Sequence, residues 1–230
     1  MRVLIACEES QRVCAAFRER GHDAFSCDIQ EPSGGHPEWH ILGDVCAILS
    51  PDAQSGCIRF LTMDDILHVI ARWDIIIAHP PCTYLSAAGA CRLFNSTHDI
   101  IDKAHERKGW EAVSFFQALL HADCDRICIE NPVPLHYWGL PPYQQIVEPF
   151  QFGDPWKKRT CLWVKGLPLL HADRLVVPHG CWVDCAGVNS RTKLRDRKGA
   201  HTAKERAKTF PGIARAMAEQ WGKDVTTHDH

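Results

Sequence analysis

The chain places a cysteine and a glutamate shortly after two of its apolar runs. Trp73 to Ala78 leads through two prolines to Cys82, and Arg126 to Ile129 leads directly to Glu130. A loop cysteine near positive charge can have a lowered pKa and act as a nucleophile, here toward carbon 6 of a pyrimidine ring. A glutamic acid that carries or shares a proton can donate to a ring nitrogen and accept from the exocyclic amine. Such a pair would make carbon 5 of the ring nucleophilic toward a sulfonium methyl donor.

The elements that must position these side chains alternate along the chain. Short apolar runs predict strands at Arg2 to Cys7, His22 to Cys27, His40 to Leu42, Trp73 to Ala78, Arg126 to Ile129 and Thr160 to Val164. Helical spacing of apolar residues predicts helices at Arg12 to Arg20, Asp64 to Ala71, Glu106 to His121 and Phe210 to Trp221. This alternation predicts an α/β fold: a Rossmann-like, doubly wound, mostly parallel sheet with helices on both faces.

The domain organisation follows from the same pattern. We expect a catalytic core over residues 1–166 and a closing helix within 209–230 that packs back on it. Between them, residues 167–208 form the least regular stretch, which predicts a small irregular, basic C-terminal insert.

Polar residues at the carboxyl ends of the predicted strands form a candidate cofactor site, because ligands bind at that edge of open α/β sheets. The candidates are Cys7, Glu8, Asp28, Asp44 and Pro80. Asp28 could accept hydrogen bonds from both ribose hydroxyls of a nucleoside, and Asp44 could accept one from an adenine amino group. Each residue alone is also compatible with ordinary turn chemistry at a strand end.

Charge and hydropathy limit the class of protein. The net charge is -2 and the sequence pI is about 6.7, so the chain lacks the basic surplus that is usual in a protein that binds DNA on its own. Residues 191–208 are locally basic, and we predict either phosphate contacts, with Arg191 and Lys193 among them, or a solvated face. No apolar stretch approaches the roughly 18 residues of a membrane helix, and no signal peptide is evident. We therefore expect a cytoplasmic protein without membrane contact.

The chain contains 12 cysteines, most of them scattered through apolar runs. This distribution predicts buried thiols rather than a disulfide framework. His179, Cys181 and Cys185 lie close together and could hold a structural zinc ion, but the spacing lacks a second clear cysteine pair. We favour free or buried thiols at these positions and predict no metal.

Several motifs resemble those of the cytosine-5 DNA methyltransferases. His79 to Ser86 (HPPCTYLS) resembles the Pro-Cys nucleophile loop, and Ile129 to Val133 (IENPV) resembles the Glu-Asn-Val motif. Lys157 to Thr160 (KKRT) stands where the family has Gln-X-Arg-X-Arg, with Arg159 as its arginine, and Asp44 resembles the residue that contacts the adenine of the cofactor. The resemblance covers about Arg2 to Val164.

The resemblance implies roles for individual residues. The catalytic residues would be Cys82, Glu130 and Arg159, and the substrate would contact Pro81, Ser86 and Asn131. Arg191 and Lys193, from the basic stretch, complete the predicted substrate contacts. It implies S-adenosylmethionine as the cofactor and cytosine in DNA as the substrate. The chain resembles small phage- or prophage-borne relatives of that family more closely. The shared motifs are HPPCTYL, Glu-Asn-Pro and the late segment Thr209 to Ala214 (TFPGIA).

Two departures from the family leave alternatives open. The loop after the first strand has no glycine before Gly21, where the family has a glycine-rich cofactor loop. The insert at residues 167–208 is short for a target recognition domain, so recognition could come from a partner protein or a second copy of the chain. The alternatives are modification of a free pyrimidine nucleotide such as dCMP, and an inactive relative that only binds nucleic acid or nucleotide.

Overall fold

The structure is a computed structural model that describes residues 1–87, 90–95, 97, 99–182 and 202–223. Its strands are β1 (Arg2–Ala6), β2 (Asp23–Asp28), β3 (His40–Leu42), β4 (Ile58–Leu61), β5 (Leu67–Ile70), β6 (Ile75–Ala78), β7 (Ile127–Asn131), β8 (Gln145–Val147), β9 (Trp156–Lys157), β10 (Thr160–Lys165) and β11 (Gly180–Cys181). Its α-helices are α1 (Arg12–Arg18), α2 (Ala90–Leu93), α3 (Lys103–Leu120), α4 (Ala203–Ala207) and α5 (Pro211–Trp221). Short 3-10 helices lie at Pro37–Trp39, Val45–Ile48, His136–Trp138 and Pro149–Gln151.

The central sheet has seven strands in the order β3-β2-β1-β6-β7-β10-β8. The pairs β3–β2, β2–β1, β1–β6 and β6–β7 are parallel, whereas β10 is antiparallel to both of its neighbours. The chain fills one side of the sheet from β1 to β3 and then returns to the other side at β6. The order therefore reverses between β1 and β6, which is where open α/β sheets bind ligands.

Side chains of the central strands alternate between two buried layers. Val3 and Ile5 of β1 pack into one layer with α1 and α5, and Leu4 packs into the other layer with Phe116 of α3. Because successive residues of a strand point to opposite faces, a strand covered by helices on both sides is apolar throughout. Helices on both faces of a mostly parallel sheet confirm the predicted Rossmann-like α/β class.

The prediction of a helix from Asp64 to Ala71 was wrong. Leu67–Ile70 forms β5, which pairs with β4 as an antiparallel hairpin outside the central sheet. The turn between them holds Asp65 at a left-handed φ of 62°, and the Thr62 hydroxyl donates to Asp64 Oδ1 at 2.6 Å. Apolar residues at 66, 67, 69 and 70 fit a helical face in sequence, but the first three are exposed and Ile70 is buried, opposite Ile58 of β4.

The chain beyond β10 contributes to the layer formed by α1 and α5. Leu170 is buried in that layer, and Trp182 packs on the rings of Trp156 and Phe210. β11 adds a short parallel pairing to β9. No helix in the described part of the chain is both long and apolar enough to cross a membrane.

We predict that Gly212→Ala lowers the free energy of unfolding by about 1 to 3 kcal/mol, because overpacking carries that cost. A Cβ on Gly212 would lie 2.2 Å from the carbonyl oxygen of Phe152, while the Gly212 N–H donates to Asp154 Oδ2 at 2.8 Å. Urea unfolding measures the change. The matched control is Gly180→Ala, whose Cβ would meet only Trp156 at 3.9 Å and which should change stability little. Equal stability of the two variants would contradict the prediction.

Candidate functional site

Two loops at the carboxyl edge of the sheet are joined by hydrogen bonds. The Asn131 side-chain amide donates to the Pro80 carbonyl at 3.0 Å, and the Leu135 N–H donates to the Leu85 carbonyl at 2.8 Å. These contacts connect the loop that carries Cys82 to the loop that follows β7. The structure thus brings together the two motifs that the sequence singled out.

Strand register places His79 beside Glu130. Ala78 of β6 pairs with Ile129 of β7, so His79, which directly follows β6, lies level with Glu130, the next residue of β7. His79 Nδ1 lies 2.6 Å from Glu130 Oε2, and the Thr209 hydroxyl donates to the same oxygen at 3.1 Å. The side chains of His79 and Glu130 are only 10% and 9% exposed. The result is a buried ion pair with a hydroxyl as its third member.

From the sequence we expect Glu130 to carry or share a proton, and the charges of the pair decide where that proton lies. Burial raises the pKa of Glu130, but the hydrogen bond and charge of His79, the charge of Lys158 and the Thr209 hydroxyl outweigh it and lower the pKa to about 2. Burial lowers the pKa of His79, but the hydrogen bond and charge of Glu130, with the charge of Glu8, raise it above its ordinary value. The proton of the pair therefore resides on the imidazole, and Glu130 is a carboxylate.

Cys82 is half-buried beside this pair, and its pKa is raised rather than lowered as the sequence predicted. Burial is the main cause and the Glu130 carboxylate adds to it, while Lys158 and Arg206 act in the opposite direction. The resting side chain is a thiol. Its two cationic neighbours favour the thiolate once a proton is removed, which is the electrostatic requirement of a nucleophilic cysteine.

Lys158, next to the predicted Arg159, contributes positive charge to the site. Lys158 is half-buried and its charge acts on His79, Cys82 and Glu130, whereas Arg159 is exposed. Sequence reasoning singled out the arginine of the KKRT segment and missed its neighbour. His79 was also missed, although its place at the end of the most apolar strand was a usable signal.

Four of the five predicted cofactor residues lie at the carboxyl ends of β1, β2 and β3, and the fifth, Pro80, follows β6. Asp28 and Asp44 both raise the pKa of the half-buried Cys7 thiol, after burial itself, so the two carboxylates converge on one location. Asp28 accepts from the Gln30 N–H and Asp44 from the Cys46 N–H, both at 2.9 Å. This edge is therefore acidic and adjoins the point where the strand order reverses.

Glu8 faces into the protein instead of toward this edge. Its carboxylate accepts hydrogen bonds from the N–H groups of Val13 at 2.7 Å and Cys14 at 3.1 Å, and the residue is 4% exposed. An anion at the first turn of a helix satisfies N–H groups that have no partner within the helix. The side chain therefore anchors α1, which differs from the cofactor contact that was predicted for it.

The remaining predicted residues have varied positions. Pro80 is buried, Pro81 is exposed and the Ser86 N–H donates to the Cys82 carbonyl at 3.1 Å, which tightens the turn. Arg191 and Lys193 lie outside the described residues, as does Cys185 of the considered zinc site. Among the described residues no group of three or more His, Cys, Asp or Glu side chains could hold a metal ion.

We predict that Glu130→Gln lowers the free energy of unfolding by about 3 to 5 kcal/mol, the usual cost of breaking a buried ion pair. The raised pKa of His79 contributes stability that is complete below the ordinary value of 6.5 and is lost as the pH rises through the folded pKa. The lowered pKa of Glu130 contributes stability that is present above 4.5 and is lost as the pH falls toward about 2. The difference between wild type and variant should be largest between these ordinary values.

Urea unfolding at pH 5.5 and at pH 9 measures this difference. The control is Glu111→Gln, which removes an exposed ion pair with Arg107 and should cost little at either pH. A cost for Glu130→Gln that is the same at both pH values would contradict the assigned charges.

Comparison with known proteins finds likeness only among solved structures: no protein-family model and no curated protein matches this chain. A prophage-encoded E. coli protein assigned as a DNA modification methyltransferase is 14% identical, with a TM-score of 0.44, and the match covers 77% of this chain and 52% of that one. The methyltransferase EhMeth of Entamoeba histolytica is 14% identical, with a TM-score of 0.44 and coverage of 76% and 57%. A DNMT2 variant of Spodoptera frugiperda is 16% identical, with a TM-score of 0.40 and coverage of 76% and 54%. This chain spans about half of the length of each of these proteins.

Proposed function

We propose that this protein transfers a methyl group from S-adenosylmethionine to carbon 5 of cytosine in DNA, through covalent addition of Cys82 to carbon 6. The observation that carries the proposal is the joining of the Cys82 loop to the Glu130 loop. A thiol and the carboxylate whose charge acts on it stand at the ligand-binding edge of a Rossmann-like sheet. The motifs that resemble the cytosine-5 methyltransferases are the motifs that form this site.

The residues of the site divide the chemistry between them. Cys82 loses its proton and its sulfur adds to carbon 6 of the base, with Lys158 and Arg206 favouring the anionic sulfur. Glu130, ionised and fixed by His79, accepts a hydrogen bond from the edge of the base. Lys158 takes the part that was expected of Arg159. Arg191 and Lys193 remain proposed phosphate contacts.

The acidic edge fits the proposed cofactor. S-adenosylmethionine supplies a transferable methyl group on a positively charged sulfur. Asp28 and Asp44 offer carboxylate acceptors suited to ribose hydroxyls and an adenine amine, and their negative charge suits a cationic ligand. Cys7 and Gln11 supply left-handed backbone, with φ of 59° and 56°, in a loop where the family has glycine.

We predict that S-adenosylhomocysteine binds saturably in calorimetric titration and that the double variant Asp28→Ala, Asp44→Ala loses this binding. Removal of both carboxylates takes away the polar partners of the nucleoside. The control is Asp52→Ala, because Asp52 likewise accepts from turn N–H groups but belongs to an exposed loop before β4. An absence of binding by the wild type at millimolar ligand would reject this cofactor.

We predict that DNA containing 5-fluorocytosine forms a covalent adduct with the protein in the presence of S-adenosylmethionine, because fluorine at carbon 5 blocks release. Mass spectrometry should locate the adduct on Cys82, and Cys82→Ala should abolish it. Cys57→Ser, a change at another partly buried cysteine, should leave it intact. An adduct with 5-fluoro-dCMP but not with DNA would instead indicate a free-nucleotide enzyme. No adduct from either substrate, with ligand still bound, would indicate a binding protein without turnover.

A further inference from the structure

We propose that His79 is a positioning residue that stores the proton delivered to the pyrimidine ring through Glu130, an inference that rests on the proposed function of the site. A carboxylate alone cannot protonate a ring nitrogen. The imidazole beside it holds one proton in reserve, at an atom already in contact with Glu130.

The imidazole proton can be transferred along one hydrogen bond, the one from His79 to Glu130. His79 Nδ1 is in contact with Glu130 Oε2 at 2.6 Å, whereas His79 Nε2 is buried with no hydrogen-bond partner among the described residues. Thr209 donates to Oε2 as well, so both hydrogen bonds that the described residues make to this carboxylate end on one oxygen. The pair is nine-tenths buried. Exchange of the imidazole proton therefore runs through Glu130 rather than through bulk water.

The charged groups around His79 keep the proton in place until it is needed. They come from three parts of the chain: Glu130 lies in β7, Glu8 follows β1, and Lys158 precedes β10. The two carboxylates favour the imidazolium and the lysine opposes it, with a raised pKa as the net result. Thr209, at the start of α5, adds a neutral dipole next to Nδ1 at 3.4 Å.

The proton that the ring nitrogen needs is supplied and recovered within the site. Cys82 first loses its thiol proton to solvent, and as its sulfur bonds to carbon 6, an electron pair of the ring moves toward nitrogen 3. The ring nitrogen takes a proton from Glu130 while Glu130 takes the Nδ1 proton of His79, so an N–H bond at the imidazole breaks and an N–H bond at the ring forms. After carbon 5 has gained the methyl group, its own proton leaves to water, the carbon 5–carbon 6 double bond re-forms and Cys82 departs as a thiolate that is reprotonated from solvent. The ring nitrogen returns its proton to His79 along the same path.

A purely structural ion pair would predict a different dependence on pH. If the reaction needs a Cys82 thiolate and a His79 imidazolium together, the rate rises tenfold per pH unit only below the pKa of His79. Above that value the loss of imidazolium cancels the gain of thiolate, and the rate is level up to the pKa of Cys82. If His79 is only structural, the rise continues to the pKa of Cys82.

The experiment measures the rate of adduct formation with 5-fluorocytosine DNA from pH 5.5 to 9 in three proteins. Wild type should show the level region. His79→Asn, which keeps a donor toward Glu130 but does not titrate, should be slower by about 100-fold at pH 6 and should lose the level region. Thr209→Val, which removes only the second hydrogen bond to Oε2, should be slower at all pH values while keeping the shape of the profile.

A second measurement does not depend on activity. Nitrogen-15 NMR of the imidazoles in the wild-type protein, with His79 assigned by its absence in His79→Asn, should give His79 a pKa above the ordinary 6.5. A lower value, or a level region that survives in His79→Asn, would overturn the inference and leave the proposed function standing. If wild type forms no adduct at any pH, the proposed function fails and the inference fails with it.

Discussion

The parallel pairing of β6 with β7 sets Ala78 opposite Ile129, and the remainder of the site depends on this register. His79 and Glu130 come next, so they lie side by side and on one face of the sheet. A slip by one residue would turn one of them to the opposite face and separate the two charges. The same register brings the prolines before Cys82 within reach of Asn131, whose amide fastens the two loops together.

Much of the fold could be predicted because buried parallel strands are apolar throughout. Arg2 to Cys7, Trp73 to Ala78 and Arg126 to Ile129 all proved to be neighbouring strands of one sheet. The hairpin of β4 and β5 could not be predicted, because a short apolar run fits both helical and strand spacing. Which of the two forms depends on a pairing partner elsewhere in the chain. That Cys82 and Glu130 lie near each other could be predicted, because each follows an apolar run that forms a strand of the sheet. The protonation state of Glu130 could not be predicted, because it depends on His79, Lys158 and Thr209, which are distant in sequence and meet only in the folded protein.

The loop after β1 keeps a glycine-like backbone without glycine. Gln11 adopts a left-handed φ of 56°, a conformation that costs energy for most residues. Its side chain offsets this cost with hydrogen bonds to Ser26 Oγ at 3.2 Å and to the His36 carbonyl at 2.8 Å, and it accepts one from the His36 N–H at 3.0 Å. The neighbouring Gly34 lies so close to Gln11 that a Cβ there would be 2.6 Å from Gln11 Cβ. The loop that contains Gln11 and the loop that contains Gly34 thus pack closely on each other. A search for a glycine-rich motif after β1 does not find this arrangement.

Thr209 connects the site to a late part of the chain. Its hydroxyl reaches Glu130 and its carbonyl accepts from the Arg12 guanidinium, so residues 12, 130 and 209 meet at one point. During translation, the segments that contain His79 and Glu130 are synthesised well before Thr209. The nascent sheet can therefore form before the long-range contact between Thr209 and Glu130 is made. Such ordering delays assembly of the reactive centre until nearly all of the described chain has been made.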